Sequence, residues 1–280
     1  MLEIPDLETF AIKLHSTGVA EIIFNRPEKY NALSSQVYAE WLKAINWAAR
    51  CDDVKVTVLT GRGKYYSSGK ELAVPDPVSE SLTYEEKLAL SNEGSRTTRS
   101  LVEALINFPK LLIAAVNGPA IGFAVTSLAL CDVVYSVPSA TFRTPFMQLG
   151  ICAEGCSSTL FQRIMGPSKA NEMLLMGRQF TAPELLKAGF IGEILPEEAF
   201  YEDVLKLATN AAQFSLEALK TTKKLIRDVD RELLLKVNNE EFDRLAEKKI
   251  SQEYFDSVVR FVEDAKKKKQ LKKKQKLSRL

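Results

Sequence analysis

The sequence predicts an α/β fold, a spiral of repeated strand-strand-helix (ββα) units followed by a helical C-terminal region. Short β-branched runs alternate with longer amphipathic stretches in the first half of the chain, and helical patterns dominate from Ser158 onward. The 280 residues are 46% hydrophobic, which is enough for a substantial core. We expect a spiral core over residues 1–195, a helical oligomerisation region over 196–265 and a basic tail over 266–280.

The first half of the chain repeats the order strand, strand, helix. The Ser16-Thr17-Gly18 tripeptide is a predicted hairpin turn, and Ser34 is the candidate N-cap of the first helix. This repetition favours a spiral over a doubly wound sheet, although periodicity alone does not decide between them. Strands are predicted over 11–14, 19–24, 54–59, 111–116 and 133–137, helices from Ser34 and over 84–106 and 121–130, and a mobile loop over 72–81.

Helical patterns fill the second half. Thr181 and Glu184 have the spacing of a capping box, and Gly189 marks the end of that helix. Long amphipathic segments are predicted over 201–234 and 242–262. The last segment has an apolar stripe that requires an apolar surface to cover, for which a neighbouring subunit is one candidate. The stripe consists of Tyr254, Phe255, Val258, Val259 and Val262.

The formal charge of +2 is unevenly distributed. Residues 265–280 hold nine Lys and Arg residues and no acid, so residues 1–264 have a formal charge of −7. We interpret the tail as a solvated helix end that presents a targeting signal, because no aromatic residues are interleaved with the lysines. RNA or anionic-membrane binding by this tail is the alternative from another functional class.

Export and membrane insertion are both disfavoured. Three of the first eight residues are acidic, where a secretory leader needs basic residues and then an apolar run. The four cysteines are therefore expected to be reduced thiols. Residues 111–131 are uncharged and long enough to span a bilayer, but the Asn117-Gly118-Pro119 triplet interrupts them, so we expect a buried core segment and no membrane span.

The sequence also gives little support to metal or nucleotide chemistry. His15 is the single histidine and lies in a predicted edge strand, so a histidine-based triad or metal site is hard to build. Cys152 and Cys156 bracket Glu154 without a second pair of ligands, which makes a poor zinc site. The chain has neither a Walker loop nor a GxGxxG motif after a strand. We expect no metal ion and no nucleic-acid partner.

Three segments place glycine or an acid where a ligand could bind. Residues 67–72 and 117–123 follow predicted strands, so their glycines can turn backbone N–H groups outward. Residues 149–155 set Glu154 among small and apolar neighbours, where a partly desolvated carboxylate can act as a base. From the residues alone, two alternatives stay open. The two glycine segments can be tight turns that bind no ligand, and Glu154 can be an acid that stabilises the N-terminus of a helix.

Together these segments resemble the crotonase (enoyl-CoA hydratase/isomerase) family. The resemblance implies a crotonase-type spiral and a homotrimer or hexamer, and its landmarks occur in the expected order along most of the chain. The landmarks are Asn25-Arg26-Pro27, Asn31-Ala32-Leu33, residues 66–72, residues 117–122, Cys131-Asp132-Val133-Val134 and residues 177–182.

The resemblance further implies binding of an acyl-CoA substrate without a metal or redox cofactor. In this family two peptide N–H groups, one from each glycine turn, bind the thioester oxygen and stabilise an enolate as the α-proton leaves. The matching donors are Lys70 and Phe123. CoA is expected along Ala32, Leu33, Ser67, Ser68 and Gly69.

The choice of base separates the activities in this family. Hydratases use two glutamates, at positions that hold Thr126 and Phe146 here. Dienoyl-CoA isomerases pair an acid matching Phe146 with one matching Glu154, so this chain has half of that pair. A single glutamate at position 154 resembles the 3,2-enoyl-CoA isomerases of fatty-acid β-oxidation, in which one carboxylate moves a proton from the α-carbon to the γ-carbon. A dienoyl-CoA isomerase is the alternative enzyme.

The tripeptide Ser278-Arg279-Leu280 varies the Ser-Lys-Leu address that the peroxisomal import receptor reads. We therefore expect a peroxisomal protein, similar to the fungal peroxisomal isomerases. Two features depart from the family pattern. Lys70 and Glu71 replace the usual Ala and Asp, and Thr98 stands where fungal members carry an asparagine beside the base.

Overall fold

Two sheets form the framework of the fold. The computed structural model describes residues 2–72 and 81–277. Its strands are β1 (Phe10–Leu14), β2 (Val19–Phe24), β3 (Val56–Gly61), β4 (Leu111–Val116), β5 (Ala120–Ile121), β6 (Val133–Ser136), β7 (Thr141–Arg143), β8 (Phe180–Thr181) and β9 (Glu193–Ile194). The main sheet has the order β1-β2-β3-β4-β6-β9, and the small sheet has the order β5-β7-β8.

The parallel pairing in the main sheet brings the two glycine turns together. Strand β1 is antiparallel to β2, as the predicted hairpin requires, whereas β2, β3, β4 and β6 are parallel neighbours. Because β3 and β4 are adjacent and parallel, the segments that follow them leave the same edge of the sheet. These segments contain residues 67–72 and 117–123, the two predicted ligand-binding turns.

Helices cover the sheets and extend the C-terminal part of the chain. Their bounds are α1 (Ser35–Arg50), α2 (Tyr84–Ile106), α3 (Phe123–Thr126), α4 (Ser157–Leu174), α5 (Ala182–Lys187), α6 (Phe200–Ala212), α7 (Leu216–Asp228), α8 (Arg231–Lys249) and α9 (Gln252–Leu277). The predicted N-cap is confirmed, since the Ser34 hydroxyl accepts a hydrogen bond from the Val37 N–H at 3.3 Å. The capping box of Thr181 and Glu184 is also present.

Helix α1 connects the core to the ligand-binding edge. Its predicted apolar face, which includes Trp41, is buried. The Trp41 ring packs edge-on against Phe24 of β2, with 4.9 Å between ring centroids, and against Phe123 at 5.6 Å. This packing fixes Phe123, the last residue of the second glycine turn, to the core.

The prediction of one α-helix over 121–130 is wrong both in the residue at which the helix begins and in the type of helix that residues 127–130 form. Ile121 belongs to β5, and Gly122 has φ +62° and ψ −127°, outside the helical region. Only the four residues of α3 are α-helical, and residues 127–130 form a 3₁₀ turn. The pairing of β5 with β7 overrides the local helical pattern. Strand β3 begins two residues later than predicted, at Val56.

The two long amphipathic segments are each interrupted. The first is divided among α6, α7 and the start of α8, and Ser215 caps α7 through a 3.3 Å hydrogen bond from the Ala218 N–H. The second breaks at Ser251, whose hydroxyl donates to the Lys248 carbonyl at 2.7 Å and accepts from the Tyr254 N–H at 3.2 Å. The hydroxyl of one serine can donate to a free carbonyl at the end of one helix and accept from a free N–H group at the start of the next. The apolar spacing can therefore continue across a break that the sequence pattern does not show.

Part of the apolar stripe of α9 packs against this chain, whereas Phe255, Val259 and Val262 are only half-buried, so its cover by a neighbouring subunit stays a prediction. Val258 is fully buried, and Tyr254 lines an internal cavity. The backbone of Gly150 also approaches the helix closely, since a Cβ atom there would lie 3.1 Å from the Ser257 hydroxyl. The division of the chain near residue 195 and the oligomerisation role of 196–265 stay predictions.

The predictions about cysteines, membrane spans, the 72–81 loop and the C-terminal tripeptide can be compared with the structure only where it describes those residues. All four cysteines are free. Among the described residues, no helix combines the length and apolarity needed to cross a bilayer. Most of the predicted 72–81 loop and the tripeptide at 278–280 lie outside the described residues.

Candidate active site

The first glycine turn leaves one N–H group free beside a cavity. The Leu33 N–H donates to the Gly69 carbonyl at 2.8 Å, and the Glu71 N–H donates to the Leu33 carbonyl at 3.0 Å. These two bonds flank Lys70 without using its own N–H, which has no acceptor among residues 2–72 and 81–277. Gly69 has φ +78°, and a Cβ atom there would lie 2.5 Å from the Ile121 carbonyl oxygen, so only glycine fits.

The second turn presents a matching donor. The Gly122 N–H donates to the Arg143 carbonyl at 2.8 Å, which fixes the turn against β7. The next N–H, that of Phe123, is the first of α3 and has no acceptor in the part of the chain that the structure describes. The Phe123 side chain is buried, and its ring packs edge-on against Tyr38 at 5.4 Å. The N–H group is therefore held in a fixed position.

Hydrogen bonds join the two turns. The Ile121 N–H donates to the Ser67 carbonyl at 3.1 Å, and the Ser67 N–H donates to the Pro119 carbonyl at 3.3 Å. Lys70 and Phe123 then line the same cavity, which has about 1000 Å³ of free space including its mouth. Two unpaired N–H groups at one cavity are suited to bind an oxygen atom on which negative charge develops.

Glu154 lies in the loop before α4 and lines this cavity. Its side chain is half-buried, and no described group donates a hydrogen bond to its carboxylate. Burial raises the pKa of the Glu154 carboxyl, and the positive charges of Lys249 and Lys70 oppose that rise. A carboxylate in this state has the higher basicity that proton abstraction from carbon needs.

The loop that carries Glu154 is anchored by α8. The buried Glu241 carboxylate accepts hydrogen bonds from the Cys156 N–H at 2.7 Å and the Ser158 N–H at 3.0 Å. Cys156 has φ +60°, a left-handed conformation that costs energy for a residue other than glycine. Glu241 thus stabilises a strained turn and also caps the N-terminus of α4.

Both positions that hold glutamate in hydratases are occupied by residues that cannot transfer protons at neutral pH. Thr126 is buried, and its hydroxyl donates to the Phe123 carbonyl at 3.2 Å. Phe146 is buried in the cavity wall. Glu154 is the one carboxylate among the described residues that line the cavity.

A surface groove adjoins the cavity and contains most of the residues expected to contact CoA. Ala32, Leu33 and Ser68 line the groove, and Gly69 lines the cavity. Ser67 is buried, where its hydroxyl donates to the Asn31 carbonyl at 2.7 Å and accepts from the Gly69 N–H at 3.1 Å. Its side chain supports the first turn, and its contact with CoA stays a prediction.

The same groove carries positive charge near its mouth. Arg26 and Lys29 line it, and Arg26 forms a 2.9 Å ion pair with Glu71. Tyr38, Lys70 and other residues line both the groove and the cavity, so the two spaces are continuous. A phosphorylated carrier in the groove could therefore extend an apolar chain into the cavity.

Residues considered for metal binding are held in structural contacts. The Cys156 thiol donates to the Leu234 carbonyl at 3.4 Å, and the Cys152 thiol donates to the Glu241 carbonyl at 3.8 Å. His15 lies 2.5 Å from the buried Glu21 carboxylate, next to the hairpin. Over residues 2–72 and 81–277, no group of three His, Cys, Asp or Glu side chains is arranged to hold a metal ion.

A comparison of the sequence with protein families identifies the family of this chain. The family described as Enoyl-CoA hydratase/isomerase matches residues 15–273 of the chain. The chain belongs to the enoyl-CoA hydratase/isomerase family. This membership confirms the resemblance inferred from the glycine turns and the Glu154 segment.

Two relatives in this family illustrate the similarity. Enoyl-CoA delta isomerase 2 of Homo sapiens is 42% identical over 245 residues, which cover 88% of this chain and 61% of that protein. Enoyl-CoA delta isomerase 3, peroxisomal, of Mus musculus is 39% identical over 245 residues, which cover 88% of this chain and 75% of that protein. The chain therefore spans less than two thirds of the length of the human relative.

The fold agrees with solved structures in the enoyl-CoA hydratase/isomerase family. The enoyl-CoA hydratase/isomerase of Pseudoalteromonas atlantica T6c superposes with a TM-score of 0.81 at 30% sequence identity. The superposition covers 92% of this chain and 98% of that protein. The predicted crotonase-type α/β spiral with C-terminal helices is confirmed.

Sequence reasoning missed several residues of this family member's cavity. Lys249 at the end of α8, Arg143 of β7, and Tyr254 and Phe261 of α9 all line it. None lies in a motif that marks a site, because each comes from an ordinary amphipathic helix or a short strand. The tertiary packing of α8 and α9 brings three of them to the cavity. Thr98 of α2 also lines the cavity, without a hydrogen bond to Glu154 among the described groups.

Proposed function

We propose that this protein is a 3,2-enoyl-CoA isomerase, which moves the double bond of a 3-enoyl-CoA to the conjugated 2-trans position. The observation that carries the proposal is a single carboxylate, Glu154, in a cavity with the two free N–H groups of Lys70 and Phe123. The names of the Homo sapiens and Mus musculus relatives, both enoyl-CoA delta isomerases, support it.

The proposed reaction needs one group that first accepts and then returns a proton. Glu154 removes a proton from C2, and the C2–H electron pair delocalises through C1 onto the thioester oxygen, giving a dienolate. The N–H groups of Lys70 and Phe123 stabilise the negative charge on that oxygen, which is largest after the proton has left. Glu154 then delivers the proton to C4, the C2=C3 double bond forms, and no atom is gained or lost.

No second acid accompanies Glu154 among the described residues that line the cavity, which favours isomerisation over hydration. Addition of water to a 2-enoyl-CoA requires activation of the water and delivery of a proton to the α-carbon, for which hydratases employ two glutamates. Thr126 and Phe146, both buried, cannot supply that second carboxylate. Proton movement within one substrate needs neither a second acid nor a water molecule.

The remaining parts of the proposal concern the surroundings of the reaction. CoA binds along the groove, with Ala32, Leu33 and Ser68 beside it, and the acyl chain enters the cavity. The protein needs no metal or redox cofactor, assembles as a homotrimer or hexamer, and acts in fatty-acid β-oxidation. A peroxisomal location is supported by the name of the Mus musculus relative and by the tripeptide at 278–280.

The direct test follows the ultraviolet absorbance of the conjugated thioester as the protein converts 3-enoyl-CoA into 2-enoyl-CoA. We expect turnover of cis-3 or trans-3 substrates and at least about a hundredfold slower hydration of 2-enoyl-CoA, the scale of a missing general acid-base group. A 3,5-dienoyl-CoA serves as the comparison substrate. Faster turnover of the dienoyl substrate, or of hydration, would replace the proposed activity with that one.

A further inference from the structure

Lys249 lines the cavity together with the cations Lys70 and Arg143. It is the last residue of α8, and its side chain is half-buried. Its ammonium group donates a 3.0 Å hydrogen bond to the Ser95 hydroxyl of α2, and Ser95 is itself buried. The hydrogen bond holds the ammonium group in the cavity wall, although a free lysine side chain would extend into water.

The Lys249 ammonium group interacts with the other charges of the cavity. Its positive charge favours the ionised form of Glu154, and it is repelled by the positive charge of Lys70, which lines the same cavity. Burial, followed by repulsion from Lys70, lowers the pKa of Lys249 to about 8, while Glu154 and Cys152 favour its charged form. The other titratable groups that line the cavity are Tyr38, Arg143 and Tyr254.

The proposed isomerase places two opposing demands on Glu154. The carboxyl group must be basic enough to accept a proton from carbon, which burial provides, yet it must be ionised when the substrate arrives. An acyl chain in the cavity displaces water and increases the cost of the charged form. No described hydrogen-bond donor reaches the carboxylate. Nearby cations are therefore the groups that can keep it ionised.

We propose that Lys249 is a positioning residue that keeps the Glu154 carboxylate ionised when an acyl chain occupies the cavity. This inference rests on the proposed isomerase function and names a further residue for it. Lys249 acts through Glu154 and does not exchange protons with the substrate. Lys70 contributes in the same direction, but its side chain is exposed and screened by water, whereas that of Lys249 is fixed by Ser95.

The test compares Lys249→Met, which removes the charge, with Lys249→Arg, which keeps it. The matched control is Lys248→Met, because Lys248 is the adjacent, exposed residue and pairs only loosely with Glu253 at 3.7 Å. Loss of a nearby cation raises the pKa of a carboxyl group. The acid limb, the low-pH side of the plot of kcat/KM against pH, should therefore move to higher pH. We expect Lys249→Met to move it by at least about one pH unit, the lower end of the effect of an adjacent charge.

Lys249→Arg and Lys248→Met should leave the acid limb within a few tenths of a unit of the wild-type value. A merely structural tie between α8 and α2 would lower the melting temperature and the rate at every pH without moving the limb. An unmoved limb in a folded Lys249→Met protein would overturn the inference. So would the same displacement in Lys248→Met.

A second measurement separates this inference from the proposed function. Carbon-13 NMR of glutamate-labelled protein, with Glu154→Gln to assign the signal, gives the ionisation of Glu154 without any substrate. A higher midpoint in Lys249→Met than in the wild type supports the electrostatic role even if the protein proves inactive on 3-enoyl-CoA. An active isomerase in which this midpoint does not change contradicts the role of Lys249 and leaves the proposed function intact.

Discussion

At the scale of single residues, the two proposed oxyanion donors and the proposed base differ in how much the side chain matters. In the proposed mechanism both Lys70 and Phe123 contribute backbone N–H groups, so many side chains would serve at position 70. The buried Phe123 ring, in contrast, also fixes its N–H group by packing against Tyr38 and Trp41. Glu154 contributes its carboxylate, for which no other described acid of the cavity can substitute. Substitutions at these positions should therefore separate backbone from side-chain chemistry.

Replacement of the base is the first prediction at this scale. Glu154→Gln keeps the size of the side chain but cannot accept a proton from C2. The isomerisation rate should fall by about a hundredfold or more, the usual cost of removing a general base. The rate is measured by ultraviolet absorbance, and calorimetric titration with a saturated acyl-CoA checks that binding is kept. A loss below about tenfold would show that Glu154 is not the base.

The second residue-scale prediction concerns Lys70. Lys70→Ala keeps the N–H group and should retain most of the turnover rate at pH 8, with losses at acid pH because Lys70 favours ionised Glu154. Lys70→Pro removes the N–H group and should lose roughly a hundredfold, about 3 kcal/mol, the cost of one oxyanion donor. The hydrogen bonds of Gly69 and Glu71 to Leu33 do not use that N–H, so both can persist in the proline variant.

Circular dichroism and acyl-CoA binding provide the control for the Lys70 pair. If both variants fold, bind acyl-CoA and lose turnover equally at pH 8, the ammonium group would be the catalytic element. The assignment of the Lys70 N–H to the oxyanion hole would then be wrong.

At the scale of structural elements, α8 holds the loop that contains Glu154 in a strained shape. The Glu241 carboxylate accepts two N–H groups at the start of α4, and the thiols of Cys152 and Cys156 donate to backbone carbonyls of the same helix. These contacts compensate for the left-handed conformation of Cys156. The position of Glu154 therefore depends on a helix far from it in sequence.

Glu241→Gln tests this anchoring. The amide has one oxygen, so at least one of the N–H groups of Cys156 and Ser158 loses its acceptor. The free energy of unfolding in urea should fall by about 1–3 kcal/mol, the cost of a buried unsatisfied group. Glu240→Gln, at the exposed neighbouring position, should have little effect. Equal stability of the two variants would mean that Glu241 does not hold the loop.

The elements themselves differed in how well the sequence predicted them. The hairpin and the Ser34 cap were predictable because local turn and capping chemistry defines them, and the 84–106 helix was predictable because its residues have helical spacing. The breaks at Ser215 and Ser251 were not, because serine is compatible with both a helix interior and a cap. Lys249 could not be distinguished from Lys248 by any local pattern, since only the packing of α8 against α2 places it in the cavity.

At the scale of the whole molecule, the cavity is assembled from distant parts of the chain. The first two thirds supply the glycine turns and Glu154, and the C-terminal helices supply Lys249, Tyr254 and Phe261. The family motifs predicted the first set because backbone geometry constrains glycine. They could not predict the second set, because neither a lysine at the end of a helix nor apolar residues at helical spacing form a motif that marks a cavity.

The last prediction concerns the destination of the molecule. Residues 278–280, Ser-Arg-Leu, keep a small first residue, a basic second residue and a final leucine, the pattern that the import receptor for peroxisomes reads. A fluorescent reporter that ends in residues 270–280 should accumulate in peroxisomes, whereas the same reporter ending at residue 277 should stay in the cytosol. Both reporters carry the same four lysines of the tail, Lys272 to Lys274 and Lys276, so only the tripeptide differs. Truncation of the protein at residue 277 should leave kcat unchanged, because the cavity contains no residue beyond Phe261 among those described. Peroxisomal import of the shorter reporter would assign the signal to the lysines, and cytosolic retention of both would contradict the proposed location.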